Sequence, residues 1–200
     1  MTGPESVQHA AFPQPGDLFE GRYRILEPIG KGGFALVFRA RQEDLDREIA
    51  LKILTPTDED EKSRYADVVL KRFHQEARLV SKLRDPHTIT MFDYGQARDG
   101  LLYLVLEYVH GLSLSQLIKS QAPLNPARVL TILEQTLTSL QEAHSLGVLH
   151  RDIKPANIMI YEHLGRADQV KLLDFGIAKV FDGTEGTIQD LTADGVLLGT

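Results

Sequence analysis

The sequence predicts an α+β fold in two lobes, a small antiparallel β lobe that carries one helix and a mainly helical lobe after it. Three observations carry this expectation. Five short β-type runs crowd into residues 23–107, most of them joined by tight connections. One helix-like segment, roughly 65–83, separates the third run from the fourth. Beyond residue 111 the pattern changes to helical periodicity opening on Asn125-Pro126, an N-cap followed by proline at the first helical position.

The chain has 200 residues, 42% hydrophobic and 25% charged, an ordinary globular composition with enough length to bury a core. A net charge of −6 gives no electrostatic footing for nucleic acid or an anionic membrane as partner. Cysteine is absent, which excludes disulfides, zinc–thiolate centres and cysteine nucleophiles. Residues 1–21 read as a disordered leader. Pro4, Pro13 and Pro15 interrupt it, and it lacks both the basic start and the apolar run of a signal peptide. No stretch approaches the ~20 apolar residues that cross a bilayer.

The elements follow in order. Tyr23 and Ile25 start a run towards Ile29, Gly30-Lys31-Gly32-Gly33 follows, and Leu36-Val37-Phe38 form the second run. Glu48–Leu54, Ile89–Tyr94 and Leu101–Glu107 supply the other three. Asp58-Glu59-Asp60-Glu61 reads as a solvated acidic loop. In the helical lobe Val129, Ile132, Leu133, Leu137 and Leu140 mark one apolar face, and Gly147 stops the helix. Ile158–Ile160 and Val170–Leu173 are short strands, and 177–200 has the Gly/Thr/Asp texture of a loop. The divisions are therefore 22–107 for the small lobe, 108–111 for a hinge, and 112–200 for the helical lobe.

Several residue groups carry chemistry. Ile29 and Gly30-Lys31-Gly32-Gly33-Phe34-Ala35-Leu36-Val37 lie between two strands, a hairpin lid whose amides can approach phosphate oxygens. A dinucleotide-binding glycine motif would instead open a helix, and a P-loop would end in Gly-Lys-Ser/Thr. A plain β-turn explains the glycines equally well. Lys52 is a charge within the apolar run Ala50-Leu51-Lys52-Ile53. Glu76 shares a helical face with Phe73, Ala77 and Val80, and a carboxylate directed inward needs a positive partner. Lys52 is the sensible choice, and the pair would set an ammonium against nucleotide phosphates. His150-Arg151-Asp152-Ile153-Lys154-Pro155-Ala156-Asn157 follows a helix stop, and Asp174-Phe175-Gly176 ends an apolar strand. Asp174 and Asn157 together offer hard oxygen ligands for a divalent cation.

These motifs, in this order and approximate spacing, resemble the protein kinase family from about Tyr23 to Thr200. The resemblance implies a bilobal kinase-like fold and transfer of the γ-phosphate of ATP, with Mg²⁺, to serine or threonine hydroxyls of proteins. It implies that Lys52 holds the α- and β-phosphates, Glu76 orients Lys52, and Asp174 and Asn157 bind Mg²⁺. Asp152 would accept the proton of the attacking hydroxyl and Lys154 would neutralise charge on the transferred group. Glu107 and Val109 would meet the adenine edge, with Val37, Ala50 and Met159 as its walls and Leu106 behind it. Arg151 would dock a phosphorylated loop, with Thr184, Thr187 and Thr192 as candidate phosphosites of autophosphorylation, for which self-association would allow transfer between copies. The Asp-Ile-Lys-Pro-Ala-Asn wording is similar to serine/threonine rather than tyrosine kinases. Arg72-Phe73-His74-Gln75-Glu76-Ala77 and Asp174–Lys179 are most similar to bacterial members, which implies a cytoplasmic catalytic site.

Two features depart from the family pattern. Ala35 stands where the third glycine is usual. Gly199-Thr200 resembles the start of the family's substrate-receiving segment, and the Ala-Pro-Glu that the family pattern places after it is not in the sequence. The expectation is therefore a fragment or truncated product of a longer kinase, weakly folded in its second half and weak or inactive alone. A nucleotide-binding scaffold without turnover and a small-molecule kinase are the competing readings.

Overall fold

The computed structural model describes residues 12–32, 35–54 and 62–175, with the backbone alone described over 62–69. The chain divides into two compact units, Met1–Thr55 with Asp93–Leu106, and Pro56–Phe92 with Glu107–Thr200.

The first unit is built on a sheet of β1 (Leu18–Phe19), β2 (Tyr23–Lys31), β3 (Ala35–Gln42), β4 (Arg47–Leu54), β5 (Met91–Gln96) and β6 (Leu102–Glu107). Its order is β1-β2-β3-β4-β6-β5, and β1 through β4 form successive antiparallel pairs. Strand alternation sends Tyr23, Ile25, Phe38, Ile49, Leu51, Ile53, Tyr103 and Val105 to one face, where they form the core. Each large apolar side chain buried there contributes about 1.5–3 kcal/mol. Tyr23 is wholly buried, and its hydroxyl donates to Asp93 Oδ2 at 3.0 Å, so the polar end is satisfied. Burial first, and then that bond to Asp93, push the Tyr23 phenol well above its ordinary range.

The sheet has six strands where five were expected, because β1 lies within the stretch read as a leader. Gly16 N–H donates to Ile25 O and Ile25 N–H to Asp17 O, each at 2.9 Å. Phe19 then packs edge-on against Tyr103 at 5.3 Å, and Phe12 lies against the same core. The reading of 1–21 as a leader is thus corrected for residues 12–21, which are ordered against the sheet; residues 1–11 lie outside the described ones. The fourth run also shifts, since Ile89 N–H bonds Leu172 O outside the sheet and β5 starts at Met91.

The second unit contains α1 (Lys62–Val80), β7 (Gly111–Ser113), α2 (Leu114–Gln121), α3 (Pro126–Ser145), a 3-10 turn (Pro155–Asn157), β8 (Ile158–His163) and β9 (Arg166–Leu172). A small sheet runs β7-β8-β9. Gly111 belongs to β7 and not to a free connector. A Cβ there would come within 2.3 Å of Ile160 O, so the pairing of β7 with β8 requires glycine. Helix α2 was not expected. It starts on a capping box in which Ser113 Oγ accepts from Gln116 N–H and the Gln116 side chain accepts from Ser113 N–H.

Asn125 caps α3 as expected, accepting from Ala127 N–H at 2.9 Å, and Gly147 closes it with φ +74°. Its buried face differs from the expected one. Ile132, Thr136, Ser139 and Ala143 are buried, whereas Leu133 and Leu137 are 47% and 62% exposed and Leu140 is half-buried. Small residues win the inward positions because their hydroxyls are satisfied there. Thr136 bonds back to Ile132 O, and Ser139 Oγ meets Thr88 Oγ1 at 2.6 Å.

Candidate active site

The first unit gathers the glycine-loop and lysine residues on the sheet face opposite the core. Register pairs Gly30 with Val37 and Val37 with Lys52, and alternation along β4 puts Ala50 beside Lys52. Leu106 takes the same face of β6, out of phase with buried Tyr103 and Val105. Lys52 is 7% exposed, a cation built into the strand rather than waving from it. Ile29, Gly30, Lys31 and Gly32 are exposed and Ala35 is buried, with Leu36 half-buried. Gly32 N–H bonds Ala35 O at 2.9 Å across the tight end of the hairpin, while Gly33 and Phe34 lie outside the described residues.

The second unit holds the other set. On α1, Phe73, Ala77 and Val80 are buried and Glu76 is half-buried on their side. Asp152 is the centre of a compact cluster. Its Oδ2 pairs with Lys154 Nζ at 2.8 Å, and Asn157 Nδ2 donates to both Oδ2 and the Asp152 carbonyl at 2.9 Å. These bonds fix the carboxylate and turn the amide oxygen of buried Asn157 the other way. Leu173 N–H bonds Asn157 O at 2.8 Å, so the residue before Asp174 is tied to the metal-ligand candidate.

His150 joins the two segments. It is 2% exposed, its Nε2–H donates to Leu173 O at 2.6 Å, and its Nδ1 accepts from Asp152 N–H at 3.3 Å. Both ring nitrogens are used by the neutral tautomer, and its ring lies 4.8 Å from that of Phe175. Burial holds the His150 pKa below its ordinary value. The bend on each side is sharp: Arg151 and Asp174 have φ of +61° and +59°, a left-handed backbone that costs a non-glycine residue about 1 kcal/mol or more. The sequence placed His150 in a motif without a role. The signal that it was structural, an imidazole between a buried Val148 and a motif aspartate, becomes readable only with its partners.

Glu107 and Met159 are half-buried, as is Val109. Glu107 carries an ion pair to Lys171 Nζ at 2.9 Å that the sequence did not predict. Arg151 is exposed, whereas Thr184, Thr187, Thr192, Gly176, the acidic Asp58–Glu61 and Gly199-Thr200 all lie outside the described residues. Among the described residues no helix is long and apolar enough to cross a membrane.

The lysine strand lies in one unit and the fixed Asp152 cluster in the other, and comparison with known proteins identifies the family. The family model "Protein kinase domain" matches residues 23–194, and the chain belongs to the protein kinase family. Its relatives are bacterial serine/threonine kinases. It is 44% identical to the serine/threonine-protein kinase pkn3 of Myxococcus xanthus over 90% of this chain and 32% of that protein. It is 40% identical to PrkC of Bacillus subtilis over 84% of this chain and 24% of that protein. The solved structure described as the apo form of PpkA-294 superposes with TM-score 0.69 at 30% identity, covering 92% of this chain and 67% of that one. The chain spans about a third or less of the length of these two curated relatives.

Proposed function

We propose that this chain carries the catalytic centre of a protein kinase that transfers the γ-phosphate of ATP to serine and threonine hydroxyls of proteins. The carrying observation is Asp152, whose carboxylate is held by Asn157 Nδ2 and Lys154 Nζ at 2.9 and 2.8 Å. A carboxylate so fixed can align an incoming hydroxyl and take its proton as the new O–P bond forms and the bond to the β-phosphate oxygen breaks, releasing ADP. Lys154, paired with Asp152 at 2.8 Å, is assigned to offset negative charge on the group in transfer. Lys52 and the amides of residues 30–37 are assigned to the phosphates, with Glu76 orienting Lys52. Glu107, Val109, Val37, Ala50, Met159 and Leu106 are assigned to adenine. These roles follow the general template of phosphoryl transfer in protein kinases.

Magnesium fits the residues present. Asp174 supplies a carboxylate and Asn157 an amide oxygen turned away from Asp152, and Mg²⁺ is commonly held by one or two carboxylates together with phosphates and water. Bound there, Mg²⁺ supplies charge neutralisation at the phosphate oxygens. We further infer a cytoplasmic site, where ATP is available, and autophosphorylation between copies at Thr184, Thr187 or Thr192 with Arg151 as the docking cation.

The test is transfer of label from γ-labelled ATP to protein by the full-length protein, followed by phosphoamino-acid analysis. Label on phosphoserine or phosphothreonine, lost in both Lys52→Ala and Asp152→Asn, supports the assignment. Label that survives both substitutions, or appears on a small molecule alone, overturns it. ATP binding without any transfer would establish a nucleotide-binding scaffold instead.

A further inference from the structure

Strand β9 carries a lysine to which none of these roles belongs. Lys171 lies between Val170 and Leu172, both fully buried, and is itself 8% exposed. Its ammonium donates to Thr88 O at 3.2 Å and pairs with the Glu107 carboxylate at 2.9 Å. Glu107 is held twice more, its N–H donating to Thr90 O at 2.9 Å and its Oε2 accepting from Thr90 N–H at 3.4 Å.

The segment that receives these bonds is itself anchored. Thr88 Oγ1 meets Ser139 Oγ of α3 at 2.6 Å, and the Thr88 backbone bridges Leu172. Leu172 N–H bonds His87 O at 2.7 Å and Ile89 N–H bonds Leu172 O at 3.0 Å. Upstream, the Glu142 carboxylate of α3 accepts from Arg84 N–H and Asp85 N–H at 2.7–2.9 Å. Residues 84–90 thus form a fixed ledge on α3 and β9, and Lys171 fastens Glu107 to it.

A buried ion pair is a poor stabiliser, since desolvation offsets most of its attraction, and an apolar residue of similar volume would serve stability as well. What the pair does supply is position. Glu107 is the residue at which the chain passes from the first unit into the second, and its main chain is assigned to the adenine edge. Backbone groups read a ligand efficiently only when they are ordered before it arrives.

We propose that Lys171 is a positioning residue for the nucleotide: through the Glu107 carboxylate it holds the main chain at Glu107 and so sets ATP affinity without touching ATP. This rests on the kinase reading above. The experiment is calorimetric titration of ATP with Mg²⁺ into the full-length protein and its Lys171→Met, Glu107→Gln, double and Lys171→Arg variants, with KM for ATP and kcat measured beside it. Each single variant is expected to weaken ATP about three- to tenfold, the cost of one lost ordering contact. The double should be no weaker than either single, and Lys171→Arg should restore most of the affinity. The change should fall on KM rather than kcat. Should Lys171→Met fail to fold, the near-isosteric Glu107→Gln carries the same comparison. Unchanged ATP affinity in Glu107→Gln, additive losses in the double, or a loss confined to kcat overturns the proposal. Wild-type protein that binds no ATP overturns the kinase reading, and this proposal with it.

Discussion

Replacing His150 by leucine isolates what that side chain does. Leucine fills comparable space and keeps an apolar contact with Phe175, yet it can neither donate to Leu173 O nor accept from Asp152 N–H. Two partly buried backbone groups then lose their partners, at about 1–2 kcal/mol each, for a total of about 2–4 kcal/mol. In a chain of this size that lowers Tm by about 4–16 °C. The loss should depend on pH in a definite sense. Burial lowers the His150 pKa in the folded state, so below the unfolded value of about 6.5 the unfolded chain binds more protons. The stability from neutral His150 is complete above that value and falls as pH drops towards the folded pKa. Thermal melts of wild type and His150→Leu at pH 8 and pH 5.5 should therefore show a large gap that narrows in acid. Coincident melts at pH 8, or a gap that widens in acid, would refute the role assigned to the imidazole.

Two further substitutions test the second unit. Gly111→Ala puts a methyl 2.3 Å from Ile160 O, against backbone rather than a movable side chain, and should destabilise by about 1–3 kcal/mol in a urea midpoint. Glu142→Ala leaves the Arg84 and Asp85 amides without the carboxylate that now accepts from them, and should cost about 1–2 kcal/mol. Hydrogen exchange at those two amides should rise in the Glu142→Ala variant more than at neighbouring positions. Unaltered exchange would mean that other groups hold this ledge.

The parts of the site legible in the sequence are those where chemistry restricts residue type and spacing. A lysine inside an apolar strand, an aspartate with an asparagine five residues on, and a second aspartate ending a strand have few alternative explanations together. The fold was legible where patterns were long, as in α3 with its Asn125-Pro126 start. It was less so where elements are short. Strand β1 is only two residues, and its place depends on Asp17 and Gly16 pairing with Ile25. Helix α2 had a readable signal, Ser113 three residues before Gln116, although eight residues carry little periodicity.

The α3 face was misread for a physical reason. Leucines at 133 and 137 outrank Thr136 and Ser139 on any hydrophobicity scale, but hydroxyls that bond a helix carbonyl or each other are cheap to bury. His150 and Lys171 were opaque because their meaning lies in partners 23 and 64 residues away, Leu173 and Glu107.

If Asp152 serves the chemical step, its loss must slow phosphoryl transfer itself and not ATP binding. The most direct measurement is the single-turnover rate of label transfer from saturating γ-labelled ATP in wild type and Asp152→Asn, with ATP affinity measured in parallel. The rate should be lower by about 10²–10⁴ in the variant, with ATP affinity little changed. Equal transfer rates in the two proteins would contradict that role for Asp152.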